Sequence, residues 1–135
     1  MMKKILLLSI LVSGVLFAEG VVNKSQMEIM QTLEKAMGTI QKGFLYNNKN
    51  VVATGVKDLK ASLIDVNAFV IKVSKADEKK DFDPKIYAVT ETTAIGKSVG
   101  EVEKLFNEGK HDEALEVYTK TLNRCVVCHK IIRKW

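Results

Sequence analysis

Two cysteines and a histidine stand close together near the end of the chain, at Cys125, Cys128 and His129. A Cys-x-x-Cys-His run is the attachment signature of a c-type haem. In that chemistry each thiol forms a thioether to one haem vinyl group, and the histidine binds the iron as proximal ligand. Residues three and four apart share one face of a helix, so these side chains would be neighbours there. The motif therefore predicts one haem c, attached through both cysteines.

Three other chemistries use the same residue types, and the surroundings of the motif disfavour each of them. A thiol-disulfide pair usually opens a helix, where the dipole lowers a thiol pKa, whereas this pair falls late in a helical pattern. Zinc would need a fourth ligand, and His111 lies eighteen residues before His129, or ~27 Å along one helix. A haem enzyme would need a distal histidine or arginine, which the sequence does not offer in a suitable position. We expect no enzymatic activity.

The mild charge of the chain limits its partners. The chain has 135 residues, which suits one domain, and a formal net charge of +5. Lys3 and Lys4 fall in a segment that we expect to be removed, and taking them from the 21 basic residues leaves 19 against 16 acidic ones. No basic patch with interleaved aromatic residues stands out, so we expect no nucleic-acid partner.

The first 18 residues have the pattern of a secretory signal peptide. Lys3 and Lys4 form a basic start, residues 5–17 form a short apolar run, and Ala18 offers a small residue before a cut. That run is shorter than the ~20 residues of a membrane span. We expect cleavage, export to the periplasm and no stable membrane anchor. An uncleaved anchor is the alternative, and both place the folded part where covalent haem attachment is expected.

The remaining chain, residues 19–135, repeats apolar residues three and four apart in four segments, as amphipathic helices do. These segments predict an all-α domain with helices at about Lys24–Tyr46, Val51–Lys75, Pro84–Asn107 and from His111 or Asp112 to the end. A polar turn at residues 47–50 and a charged loop at residues 76–83 join the first three. Short connections imply an antiparallel up-down-up-down four-helix bundle, with the haem near the C-terminal end of helix four.

Capping residues and apolar stripes refine this prediction. Asp83 is the expected N-cap before Pro84, and Gly109 the expected C-terminal cap of helix three. Each predicted helix has one stripe of residues that we expect in the core. In helix one these are Met30, Leu33, Met37, Ile40 and Phe44, and in helix two Val52, Val56, Leu59, Leu63, Val66, Val70 and Val73. In helix three they are Ala88, Thr92, Ile95, Val99, Val102 and Phe106, and in helix four Leu115, Tyr118, Leu122, Cys125, His129 and Ile132.

The bundle topology predicts which residues face the iron. The start of helix one falls at the level of His129, so Met30 can act as the distal ligand. Met37 lies ~10 Å further along the helix, and Met27 lies off the stripe. The end of helix two and the start of helix three fall at the same level. They predict an apolar haem lining of Phe69, Val70, Val73, Ile86, Tyr87 and Val89.

With these features the chain resembles the class II c-type cytochromes, which comprise the cytochrome c′ family and its low-spin relatives. The resemblance covers about residues 24–135. It rests on the haem motif in the last of four helices, since most other small c-type cytochromes carry it near their N-terminus. Arg133 matches a basic residue that the family usually has one turn after the histidine. Met30 matches the distal position, because the family's apolar positions three, seven and ten residues later are Leu33, Met37 and Ile40 here.

The chain departs from the family near the distal face. Members often carry an arginine one turn before the distal residue, beside a haem propionate, and this position is Gln26 here. The resemblance then implies that the propionates pair elsewhere, with Lys24 as the candidate.

Two functions follow from the resemblance. With Met30 on the iron, the protein is a low-spin carrier of single electrons, which we favour because thioether ligation raises the potential. If Met30 swings away or Leu33 occupies the distal face, the five-coordinate iron would bind nitric oxide or carbon monoxide.

The basic C-terminal end and the family also suggest partners. Lys130, Arg133 and Lys134 could steer an acidic redox partner by long-range attraction, or only offset the helix dipole. The resemblance further implies that two copies can pair through their first helices as a homodimer.

Overall fold

A computed structural model of the chain describes residues 24–74 and 82–133, with side chains at 24–69 and 82–132. This described part is all-helical, contains no β-strand, and is compatible with a four-helix bundle. Its helices are α1 (Gln26–Leu45), α2 (Lys49–Ser74), α3 (Pro84–Asn107) and α4 (His111–Arg133). The signal peptide expected at residues 1–18 and most of the expected loop at residues 76–83 lie outside the described residues.

Side-chain caps explain where α1 and α3 begin. Ser25 and Glu28 form a capping box, in which Ser25 Oγ accepts the N–H of Glu28 at 3.3 Å and the Glu28 carboxylate accepts the N–H of Ser25 at 2.7 Å. Asp83 accepts the N–H groups of Lys85 and Ile86 at 2.8 and 3.2 Å. The predicted start of α3, with Pro84 as its first residue, is therefore confirmed.

Two tight turns close α1 and α3. Gly109 has a φ of 76°, and the N–H of Lys110 reaches the carbonyl of Leu105, which confirms Gly109 as the cap of α3. Asn47 has a φ of 47° in the same arrangement after α1. The turn predicted at residues 47–50 was too long, because the Asn48 side chain accepts the N–H groups of Asn50 and Val51 and starts α2 at Lys49.

The predicted stripes of α2 and α3 are buried wherever their side chains are described. The stripe of α1 was incomplete, because Ile29, Ala36 and Gly43 are also buried, the last two against α2. The stripe of α4 was partly wrong, since Leu115 and Leu122 are 49% and 46% exposed, whereas Tyr118 is buried as predicted. Ala114 and Thr121 are buried as well.

The exposure of Leu122 reflects an opening between α1 and α4, which this residue lines. Helix α1 packs along α2, α2 along α3, and α3 along α4, whereas α1 and α4 touch at few points. Their main link is near the ends of α1 and α3. There the ring of Phe44 contacts those of Phe106 and Tyr118, at centroid distances of 5.0 and 5.8 Å, and the Tyr118 hydroxyl donates to the carbonyl of Met37 at 3.2 Å.

The contact between α1 and α2 is close enough to require glycine. A Cβ at Gly43 would stand 2.7 Å from the backbone nitrogen of Val52, and one at Gly55 would stand 2.7 Å from the nitrogen of Ile40. Such distances are shorter than van der Waals contact, so the two backbones approach directly. No helix among the described residues is long and apolar enough to cross a membrane.

Replacing Gly43 by alanine should destabilise the protein by about 1–3 kcal/mol, despite the better helix propensity of alanine, because the methyl group would push α1 away from α2. Gly96→Ala is the matched control, since its Cβ would meet Leu63 Cδ1 at an ordinary 3.6 Å. Urea unfolding followed by circular dichroism measures both changes. Equal stability of the two variants would contradict direct backbone contact at Gly43.

Candidate functional site

A mostly apolar cavity of about 420 Å³ opens where α1 and α4 are apart. All four helices contribute to its wall. Its volume falls within the ~300–1,000 Å³ typical of cofactor and ligand sites. Tyr118, whose ring contacts that of Phe44, is one of the residues that line it.

The three residues of the sequence motif meet in this cavity. Cys125, Cys128 and His129 all line it from α4, and each is partly buried. Both cysteines are free thiols. The helical spacing thus brings the three side chains to one face, as the sequence predicted, and turns that face toward the space between the helices.

The surroundings keep both thiols protonated. Burial, followed by the neighbouring Cys128, raises the pKa of Cys125. Burial, followed by the negative charge of Glu91, raises the pKa of Cys128. Thiol-disulfide catalysts need a lowered pKa, because the thiolate is the nucleophile. The pKa values of Cys125 and Cys128 are raised instead, which disfavours the thiolate.

The three methionines of α1 differ in whether they line the cavity. Met30, Leu33 and Met37 line the cavity, whereas the Met27 side chain is 69% exposed to solvent. The apolar stripe of α1 therefore correctly predicted that Met30 faces the interior and that Met27 does not. Met37 lies at the level of Tyr118, whose hydroxyl bonds its carbonyl.

The remaining predicted lining residues are placed differently. Phe69 and Tyr87 are partly buried, but they do not line this cavity. Other residues of α2 and α3 contribute to its wall. The ring of Tyr87 packs against that of Phe82 at 5.6 Å. Of the apolar wall residues, α2 and α3 supply Leu59, Leu63, Val66, Ala88 and Ile95. The side chains of Val70 and Arg133 lie outside the described residues.

Two acidic residues that the sequence reading missed also line the cavity, Glu34 on α1 and Glu91 on α3. Glu91 accepts a hydrogen bond from the Arg124 guanidinium at 3.0 Å. Glu91 stands three residues after the buried Ala88, which is the signal in the sequence that could have placed it near the core. Arg124 directly precedes Cys125, so this ion pair ties α3 to the start of the motif.

Two other polar residues have definite partners. Lys24, the residue considered for a haem propionate, forms an ion pair with Asp65 at 2.8 Å. His111 stacks on Phe106 at a centroid distance of 4.5 Å, at the opposite end of α4 from His129. Among the described residues, no group of three or more His, Cys, Asp and Glu side chains is arranged to hold a metal ion.

No protein-family model, no curated protein sequence and no solved structure matches this chain. The chemical capacity of the site therefore follows from its own residues. A haem needs a dry apolar wall, thiols for its vinyl groups and an imidazole for its iron. Cys125, Cys128 and His129 supply the last two on one wall of a cavity whose other walls are mainly aliphatic, so the residues present fit a covalently attached haem.

The raised pKa values make a prediction for the haem-free protein. Its thiols should react slowly with iodoacetamide at pH 7 and accelerate only above the ordinary thiol pKa of ~8.5. Because the folded state favours the protonated thiols, its stability should also fall as the pH rises through that range. Mass spectrometry of alkylated protein measures the reactivity, with urea-unfolded protein as the control. Rapid alkylation of the folded protein at neutral pH would contradict the protonated state.

Proposed function

We propose that this protein is a c-type cytochrome with one haem, attached through Cys125 and Cys128, that carries single electrons. One observation supports this most directly: both thiols and His129 line a single apolar cavity that Met30 also lines. The bound haem would supply a one-electron iron couple, in which the ferric form takes up one electron and becomes ferrous. His129 would hold the iron from α4, and Met30 from α1.

We also propose the antiparallel up-down-up-down arrangement for the four helices. The order of contacts supports it. Lys24 contacts Asp65 near the end of α2, Asn67 accepts a hydrogen bond from Thr92 at 2.8 Å, and Glu91 contacts Arg124. The start of α1, the end of α2, the start of α3 and the end of α4 would thus lie together. This end of the bundle would hold the haem.

The same arrangement favours Met30 over Met37 as the distal ligand. Met37 is level with Tyr118, and His129 lies eleven residues beyond Tyr118, a rise of ~16 Å. Met30 lies seven residues from Met37 toward the same end, a rise of ~10 Å. It therefore comes within about one or two helical turns of the His129 level, whereas Met37 is three turns away.

The residues of the chain would supply the thiols for haem attachment and keep water away from the haem. Each thioether forms when a thiol S–H adds across a vinyl double bond, so the thiol hydrogen ends on a vinyl carbon and no electrons are gained or lost. Both thiols are free, and their raised pKa values favour the S–H form that supplies this hydrogen. The aliphatic residues of α2 and α3 would exclude water from the ring and so stabilise the less charged ferrous iron.

A five-coordinate site that binds nitric oxide or carbon monoxide is the second candidate. Leu33 lines the same cavity as Met30, one turn further from the start of α1. If Leu33 faced the iron in place of Met30, a small ligand could bind there. The two functions differ in one property, which is whether the ferrous iron accepts an external ligand.

The setting that we propose for this function is the periplasm, reached through a cleavable signal peptide at residues 1–18. We propose an acidic redox partner, guided by Lys130, which is exposed beside the motif, and by the basic residues that follow it. Pairing of two copies through their first helices belongs to the same proposal, as does the absence of a stable membrane anchor.

Covalent haem attachment is tested with the full chain, exported from a host that matures c-type cytochromes. We expect a pyridine haemochrome spectrum with one haem for each chain, and haem that stays with the polypeptide under denaturing conditions. Replacing Cys125 and Cys128 together by serine should make any remaining haem extractable with acidic acetone. A wild-type chain without bound haem would overturn the proposed function.

Ligation by Met30 is tested by comparing Met30→Ala with Met27→Ala. The wild-type protein and Met27→Ala should keep their reduced spectra when carbon monoxide is added, because Met27 points to solvent. Met30→Ala should lose its sixth ligand and form a carbon monoxide adduct. If the wild-type protein forms the adduct as readily as Met30→Ala, the iron is five-coordinate and the gas-binding function replaces electron transfer.

A further inference from the structure

Glu91 is the partly buried acid of the cavity wall. It lies on α3, in the same wall as Cys128 and His129, and its side chain is 16% exposed. Its partner Arg124, by contrast, is 44% exposed. Of the two partners, Glu91 lines the cavity and is mostly buried, whereas Arg124 is not among the residues that line it and is more exposed.

This asymmetry determines which charge acts on the cavity. Water and salt screen the charge of an exposed group more than that of a buried one. The guanidinium of Arg124 is held at 3.0 Å from the carboxylate, and Arg124 does not line the cavity. The field of Glu91 inside the cavity is thus reduced by Arg124 but not cancelled. After burial, which is the larger cause, the negative charge of Glu91 also raises the pKa of Cys128.

We propose that Glu91, restrained by Arg124, lowers the reduction potential of a haem attached at Cys125 and Cys128. The inference rests on the proposed function, because it concerns the same haem. Reduction adds one electron to the ferric iron, so a fixed negative charge in the cavity wall would oppose reduction and favour the ferric form. Glu91 acts on the iron through its charge and does not ligate it.

Glu34 provides a matched control. It lines the same cavity from α1, carries the same charge, and is exposed. Its field at the iron should be weaker and should fall further as the ionic strength rises. A comparison of the two acids therefore separates the effect of a buried charge from that of any negative charge near the haem.

The test is spectroelectrochemical measurement of the midpoint potential in the full, haem-loaded chain. Glu91→Gln should shift the midpoint to a more positive value, by up to about tenfold in the equilibrium constant for reduction, which is 59 mV for one electron. Glu91→Asp, which keeps the charge, should stay near the wild-type value. Glu34→Gln should shift it less, and only at low salt.

Arg124→Gln gives a second, independent reading that does not remove Glu91. Loss of the cation leaves the carboxylate less neutralised, so the midpoint should move to a more negative value. A shift of Glu91→Gln and Arg124→Gln in the same direction would show a packing effect and overturn the inference. An unchanged midpoint in Glu91→Gln would also overturn it.

The outcomes separate this inference from the proposed function. A wild-type chain without covalent haem, seen as a missing haemochrome spectrum, would overturn both together. A wild-type chain with haem whose potential does not respond to Glu91→Gln would overturn the role of Glu91 alone. The visible spectra of the variants, recorded before titration, show whether the iron ligands are unchanged, so that a potential shift reports the charge.

Discussion

Direct backbone contact between α1 and α2 constrains the rest of the structure. Gly43 and Gly55 let the two helices approach until a Cβ at either position would collide with the other helix. On its other side, α1 touches α4 at few points. Gly38 and Gln41 are among the α1 residues that line the cavity. The cavity therefore lies on the side of α1 that is not packed against α2.

The residues that line the cavity are divided between two pairs of helices. One pair, α1 and α2, carries Met30 and part of the aliphatic wall, while the other pair, α3 and α4, carries the cysteines, the histidine and Glu91. Polar links occur at the start of α3: Thr92 reaches Asn67 on α2, and Glu91 reaches Arg124 on α4. The geometry across the cavity therefore depends on how α3 sits between its neighbours.

Local rules predicted the helices well, because caps and periodicity are properties of short segments. Asp83, Pro84 and Gly109 marked helix ends as expected, and the buried face of α3 followed its stripe. What failed depended on which helices touch. Leu122 has the spacing of a core residue yet is largely exposed, because α1 and α4 separate at its level. Glu91 could not be placed beside Cys128 without knowing that α3 packs along α4.

The same arrangement of helices affects how firmly the two proposed iron ligands, His129 and Met30, would be held relative to each other. His129 belongs to the α3–α4 pair and Met30 to the α1–α2 pair, and few direct contacts join α1 to α4. An iron bound by both side chains would supply the link that the helices lack. The distance between Met30 and His129 across the cavity would then depend on the α2–α3 contact, which joins the two pairs of helices. Under the proposed function, helix packing as well as the residue at position 30 would decide whether both side chains reach one iron.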